Sequence, residues 1–101
     1  MRYELDISDR ALTGLDEAFI WYESKNVGLG FEFYEHVKKG IQNIFNSPKS
    51  FQIIIENVRR YVIKQFPFNI YYTVNENVKK INIIAIYHNS RNPEVWKERI
   101  N

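Results

Sequence analysis

The chain has 101 residues, 45% of them hydrophobic and 16% aromatic, with a formal net charge of +2. That length holds one domain, spanning 1–101, and that composition builds a packed core rather than a disordered chain. With no cysteine there are no disulfides, thiolate metal sites or cysteine nucleophiles.

Tyr3, Leu5 and Ile7 alternate with Arg2, Glu4 and Asp6, the period of a short strand. Ser8 or Asp9 then caps a helix, because either side chain can accept the first free backbone N–H groups. In that helix Ala11, Leu15, Ala18, Phe19 and Tyr22 form one apolar stripe, and Lys25-Asn26-Val27-Gly28 stops it. Leu29, Phe33, Val37, Ile41, Ile44 and Phe45 recur at three and four residues, giving a second amphipathic helix that Ser47-Pro48 ends. Two such helices with a short link make an antiparallel hairpin whose apolar face needs a sheet.

Three strands are expected to supply it: Arg59 to Gln65, Phe68 to Val74 after the Phe66-Pro67 break, and Lys79 to Tyr87 after the Asn75-Glu76-Asn77 turn. The last is nearly all apolar in its second half, as a central strand covered on both faces would be. Pro93 can open a final helical turn, and Val95, Trp96 and Ile100 are expected to pack it on the sheet. The reading is an α+β domain, a helical hairpin on a small antiparallel sheet in the order β-α-α-β-β-β with a short C-terminal helix.

No apolar run approaches the about 18 residues of a membrane span, and MRYELDISDR has charges where a signal peptide needs its apolar stretch. A cytoplasmic location without membrane contact is therefore expected. The charge is unevenly spread. Residues 1–56 hold six Lys/Arg against nine Asp/Glu, and residues 57–101 hold eight against three. A basic second half suits RNA, DNA or an acidic protein segment, or serves only to guard a solvated sheet edge. His36 and His88 have no ligand-spaced companions, so no metal is expected, and four scattered glycines make no phosphate loop, so no cofactor is either.

The candidate site gathers Arg60, Lys64, His88 and Arg91. Arg60 and Lys64 share a face by parity and Arg59 takes the other. His88 and Arg91 follow the buried strand, with Asn89, Ser90 and Asn92 beside them. Histidine moves protons near neutral pH and arginine grips phosphate or carboxylate in two-pronged fashion. Such a cluster can hold and cut an RNA backbone, or bind an acidic protein groove and cut nothing. In the bland alternative His88 caps the strand, Arg91 pairs with Glu94 and Trp96 is core.

Element order and residues together resemble the RelE/ParE superfamily of toxins from bacterial type II toxin–antitoxin systems, over essentially the full length. The resemblance rests on ISDRALTGLDEAFIWYE, NVGLGFEFYEHV, RRYVIKQFPFNIYYTV and IIAIYHNSRNPEVWKERI. The last block, with His88, Arg91, Pro93 and Trp96, looks most like the ParE-type or plasmid stabilisation branch. The resemblance implies a cytosolic growth inhibitor silenced by a cognate antitoxin whose tail folds as it binds. ParE-like members block DNA gyrase by protein binding; RelE-like members cut messenger RNA in the ribosome. Among RelE-like residues, Lys64 matches a basic position and Arg91 approximately matches a later arginine. Asn69 stands where the middle-strand arginine would be, and Trp96 where the C-terminal tyrosine would be. Another nuclease branch ends in a His-Tyr pair; here Tyr87 precedes His88. The leading expectation is therefore a ParE-like binder with Arg59, Trp96 and Arg99 as partner contacts. The alternative is an mRNA endonuclease using His88, Arg91, Lys64 and Arg60.

Overall fold

The computed structural model describes residues 2–90. Strand β1 (Glu4–Ile7) leads into helices α1 (Asp9–Lys25) and α2 (Leu29–Asn46), followed by β2 (Ile53–Ile55), β3 (Val58–Val62), β4 (Phe68–Asn75) and β5 (Lys80–His88). The strands form one sheet in the order β1-β5-β4-β3-β2. The helical hairpin covers one face, so the expected α+β layering holds. The C-terminal helical turn expected from Pro93 lies outside the described residues.

The sheet departs from expectation in two ways. It is mixed rather than antiparallel, because β1 runs parallel to β5, from Glu4 opposite Lys80 to Ile7 opposite Ile83. The hairpin between them acts as the crossover that a parallel pair requires. It also has a fifth strand. Ile53–Ile55 is three residues long, too short to show alternation. Its turn into β3 is Glu56-Asn57, with Glu56 at φ 49°, a left-handed position for which glutamate gives no sequence signal.

Local chemistry sets the helix ends. Ser8 is the α1 N-cap, its hydroxyl accepting from the Ala11 N–H. Gly28, at φ 91°, turns the chain between the helices, and the Glu23 carboxylate accepts from the N–H groups of Gly28 (2.8 Å) and Gly30 (2.9 Å). An acid at a helix N-terminus also meets the positive end of the dipole.

The main core lies between the hairpin and the sheet. Phe33, Ile44, Ile70, Tyr72, Ile81 and Ile83 are fully buried there. Each such side chain contributes about 1.5–3 kcal/mol relative to exposure. The buried Tyr72 hydroxyl donates to the Pro48 carbonyl at 2.7 Å, and burial pushes its pKa up to about 12. A second, smaller cluster of Val58, Tyr71, Ala85 and Tyr87 lies on the outer face of the sheet, opposite the helices.

A β-bulge in β5 shapes everything beyond it. Tyr72 faces Ile83, but the next residue back along β4, Tyr71, faces Ala85, so Ile84 has no opposite number. Ile83 and Ile86 therefore point to the helices, while Ile84, Ala85 and Tyr87 belong to the outer cluster. At the far end of the sheet, Glu76 accepts from Lys79 (2.9 Å) and the Tyr3 hydroxyl (2.7 Å) and pairs with Lys49 (3.3 Å).

Candidate partner-binding surface

A cleft of about 870 Å³ lies between α1 and the strand ends Phe68 and His88. Two steric facts create it. Gly14 brings α1 so close to β5 that an added Cβ would lie 2.5 Å from the Ile86 carbonyl oxygen. Beyond Gly14, the larger Tyr22 and Trp21 flank the opening. Ala18, Tyr22, Phe68 and Ile86 make the floor apolar, and Asp9, Arg10, Glu17 and His88 place charged or titratable groups around it. Trp21 stays 56% exposed, edge-on to Tyr22 at 5.1 Å and under the Lys25 ammonium at 4.9 Å.

His88 is an exposed residue on the cleft side. Its ring meets Phe68 at 5.3 Å, and Phe68 in turn meets Phe33 of α2 at 4.9 Å. The imidazole Nδ1 is hydrogen-bonded to the Ser90 hydroxyl (2.9 Å) and accepts from the Ser90 N–H (3.1 Å). Asn89 N–H donates to the Pro67 carbonyl at 2.8 Å, tying the end of β5 to the β3–β4 connection that carries the exposed Lys64.

Arg60 lies on the opposite face. It is paired with Tyr71 of the outer cluster, and its Nη2 donates to Gln52 Oε1 at 3.3 Å. His88 and Arg60 are thus separated by the sheet. Arg59 points towards the helices, as parity requires, and its Nη1 donates to the carbonyls of Phe51 (2.7 Å) and Lys49 (3.1 Å). One donor of this expected partner contact therefore holds the α2–β2 loop. Arg91, Trp96 and Arg99 lie outside the described residues. Asn69, in the middle strand, is buried on the outer face and donates to the Tyr71 hydroxyl at 3.2 Å. Among the described residues no three His, Asp or Glu side chains gather to hold a metal ion, and no helix is long and apolar enough to cross a membrane.

No protein-family model and no curated protein matches the sequence, but solved structures match the fold. A chain from the chromosomal ParDE TA system of P. aeruginosa superposes with a TM-score of 0.73 at 16% identity, over 86% of this chain and 96% of that one. The isolated E. coli RelE toxin gives 0.65 at 19% identity, over 97% and 95%. A chain of the intact E. coli RelBE toxin–antitoxin complex gives 0.65 at 18%, over 83% and 93%. This is the RelE/ParE toxin fold.

Within that RelE/ParE fold, the cleft exposes a residue that the sequence reading left out. Trp21 lies off the apolar stripe of α1, and a tryptophan off the buried stripe of a helix was the available signal. Exposed tryptophans beside apolar pockets are frequent anchors of protein interfaces. Arg10 and Glu17, on the same side of α1, supply charges of both signs, so this surface can recognise a polypeptide with an apolar side chain between polar ones.

Proposed function

We propose that this chain is the cytoplasmic toxin of a type II toxin–antitoxin module, held inactive by a cognate antitoxin. In this reading it inhibits growth as ParE-like proteins do, by binding DNA gyrase rather than by cutting RNA. The toxin assignment is supported by the fold shared with ParDE and RelBE chains. The binding mechanism rests on one observation: His88 faces the helix side of the sheet and Arg60 faces away. General acid–base cleavage needs the proton-transferring group and the phosphate-gripping cations around one phosphodiester, and Arg60, one of the three expected cations, cannot join His88 there.

A second reading, a ribosome-dependent mRNA endonuclease, draws on the outer face, where Arg60 sits beside Tyr71 and near Tyr87, with their rings 6.3 Å apart. Two measurements separate the readings. Purified protein should stall gyrase supercoiling and leave ribosome-bound message intact; message cleavage without gyrase inhibition sinks the first reading. On the second reading, His88→Ala should lower message cleavage by about 10²–10⁴, as loss of an acid–base group does; on the first there is no cleavage for it to lower.

A further inference from the structure

The second half of β5, Ile83-Ile84-Ala85-Ile86-Tyr87, has apolar side chains throughout. A strand normally resists slipping by one residue because the slip carries its apolar set into water. Here both faces are apolar: helices and main core on one side, Val58 and Tyr71 on the other. A slip that abolished the bulge would exchange Ala85 with Ile86 and Tyr87 with His88, repacking both layers but keeping mostly apolar side chains on each. The apolar pattern alone therefore does not specify whether an imidazole or a phenol enters the cleft, and a local anchor for the bulge adds to what packing contributes.

We propose that Ser8 is the positioning residue that holds the β5 bulge and thereby places His88, rather than Tyr87, on the cleft side of the sheet. Ser8 is the first residue past the β1 pairing with β5. Its N–H donates to the Ile83 carbonyl at 2.9 Å, and its hydroxyl donates to the carbonyl of the extra residue, Ile84, at 3.1 Å. The same hydroxyl accepts from Ala11 N–H at 3.0 Å, so the bulge is fastened to the start of α1. Six residues later Gly14 seats the helix against Ile86, the second residue past the bulge. Bulges next to functional sites commonly re-aim a side chain in this way. The consequence for recognition is chemical: with Nδ1 held by Ser90, the side chain beside the cleft is an imidazole with one further ring nitrogen, not a phenol hydroxyl. The inference stands on this geometry, whatever partner the cleft takes.

The test separates clamping from capping. Ser8→Asp keeps an oxygen that caps the helix but, ionised, has no proton to donate to Ile84. Ser8→Thr keeps both functions and Ser8→Ala keeps neither. Ring-to-ring NMR cross-peaks of the full chain report the outcome. Phe68 should contact His88 in the wild type and in Ser8→Thr. In Ser8→Asp and Ser8→Ala that contact should weaken by about half or more, with Tyr87 taking its place, as a one-residue slip requires. Deleting Ile84 removes the extra residue and leaves the faces unchanged, so Ser8→Asp in that background should keep His88 on Phe68. Should Ser8→Asp fold only when Ile84 is deleted, the clamp is equally supported. The proposal is overturned by an undisturbed His88–Phe68 contact in the bulged Ser8→Asp chain. Equal loss of the contact, or failure to fold, in both backgrounds overturns it as well.

Discussion

Replacing Gly14 by alanine sets two energies of opposite sign against each other, and the structure decides between them. Alanine is the better helix former by about 0.8–1 kcal/mol, so an unobstructed substitution would stabilise α1. The new Cβ, however, would stand 2.5 Å from the Ile86 carbonyl oxygen. Reaching an acceptable carbon–oxygen distance of about 3.3 Å needs a retreat of roughly 0.8 Å. The obstacle is strand backbone, paired at that residue with Ile70 of β4, so it cannot turn aside as a side chain would. Overpacking costs about 1–3 kcal/mol, and an immovable obstacle places this case near the upper end. The net expectation is a loss of about 1–2 kcal/mol. With a urea slope of roughly 1.5 kcal/mol/M for a small domain, the unfolding midpoint should fall by about 1 M. Gly40→Ala is the control. Its Cβ would meet side-chain atoms, Tyr61 Cε1 at 2.7 Å and Ile70 Cδ1 at 3.1 Å. These can shift, so its loss should be the smaller. A Gly14→Ala midpoint at or above wild type with an unchanged slope would refute the reasoning, because helix propensity would then have outweighed the contact.

Three further outcomes are expected. The Glu76 carboxyl is held down to about 2, first by the hydrogen bond from Lys79 and then by that from Tyr3. A depressed folded pKa contributes stability above the ordinary value near 4.5 that is lost as pH falls towards about 2. Glu76→Gln should therefore flatten the acid limb of a melting-temperature profile across that window, and identical limbs would count against it. Tyr72→Phe removes the buried bond to the Pro48 carbonyl and should cost about 1–3 kcal/mol in chemical denaturation; no change would mean water replaces the hydroxyl. Trp21→Ala should leave stability within about 0.5–1 kcal/mol, since the ring is mostly exposed. It should weaken antitoxin or target binding by about 2 kcal/mol or more in titration calorimetry, and unchanged affinities for both would remove the cleft from consideration.

Much of the fold was legible because its periodicities are strong. The α1 and α2 stripes, a cap at Ser8 or Asp9 and the breaks at Gly28 and Pro48 all follow from single-residue chemistry, and the structure has them, with Ser8 as the cap. Expected strand limits differed by up to three residues, because β3 stops at Val62 although Ile63 is buried: the chain turns with Gln65 at φ 74°. The partner of β1 was not legible, since parallel pairing depends on the crossover and not on the strand itself. The bulge was not legible either. Its signature would be a break in alternation, and an unbroken apolar run has no alternation to break. The extra residue in β5 also turns His88 to the face opposite Arg60, with which the sequence had grouped it at the strand ends.

The outer face then sets a definite requirement for any nuclease built on this chain. The cross-strand row through Arg60 continues to Tyr71 and Ala85, and the neighbouring row runs Val62, Asn69, Tyr87. Neither row contains a histidine or a carboxylate. Asn69 cannot replace a cation there, because an amide carries no charge, and its side chain is buried with its NH₂ on the Tyr71 hydroxyl. Phosphate would therefore meet one arginine in these rows, already bonded to Gln52. The opposite side of the sheet has a different composition: an apolar floor, an exposed tryptophan and charges of both signs along α1. Catalysis on RNA needs several groups directed at one scissile bond, whereas protein recognition needs an anchor pocket and a polar rim. The described surface meets the second requirement more fully than the first. If toxicity survives Arg60→Ala but is abolished by Trp21→Ala in a stable, folded protein, the helix side of the sheet carries the activity; the reverse result would move it to the outer face.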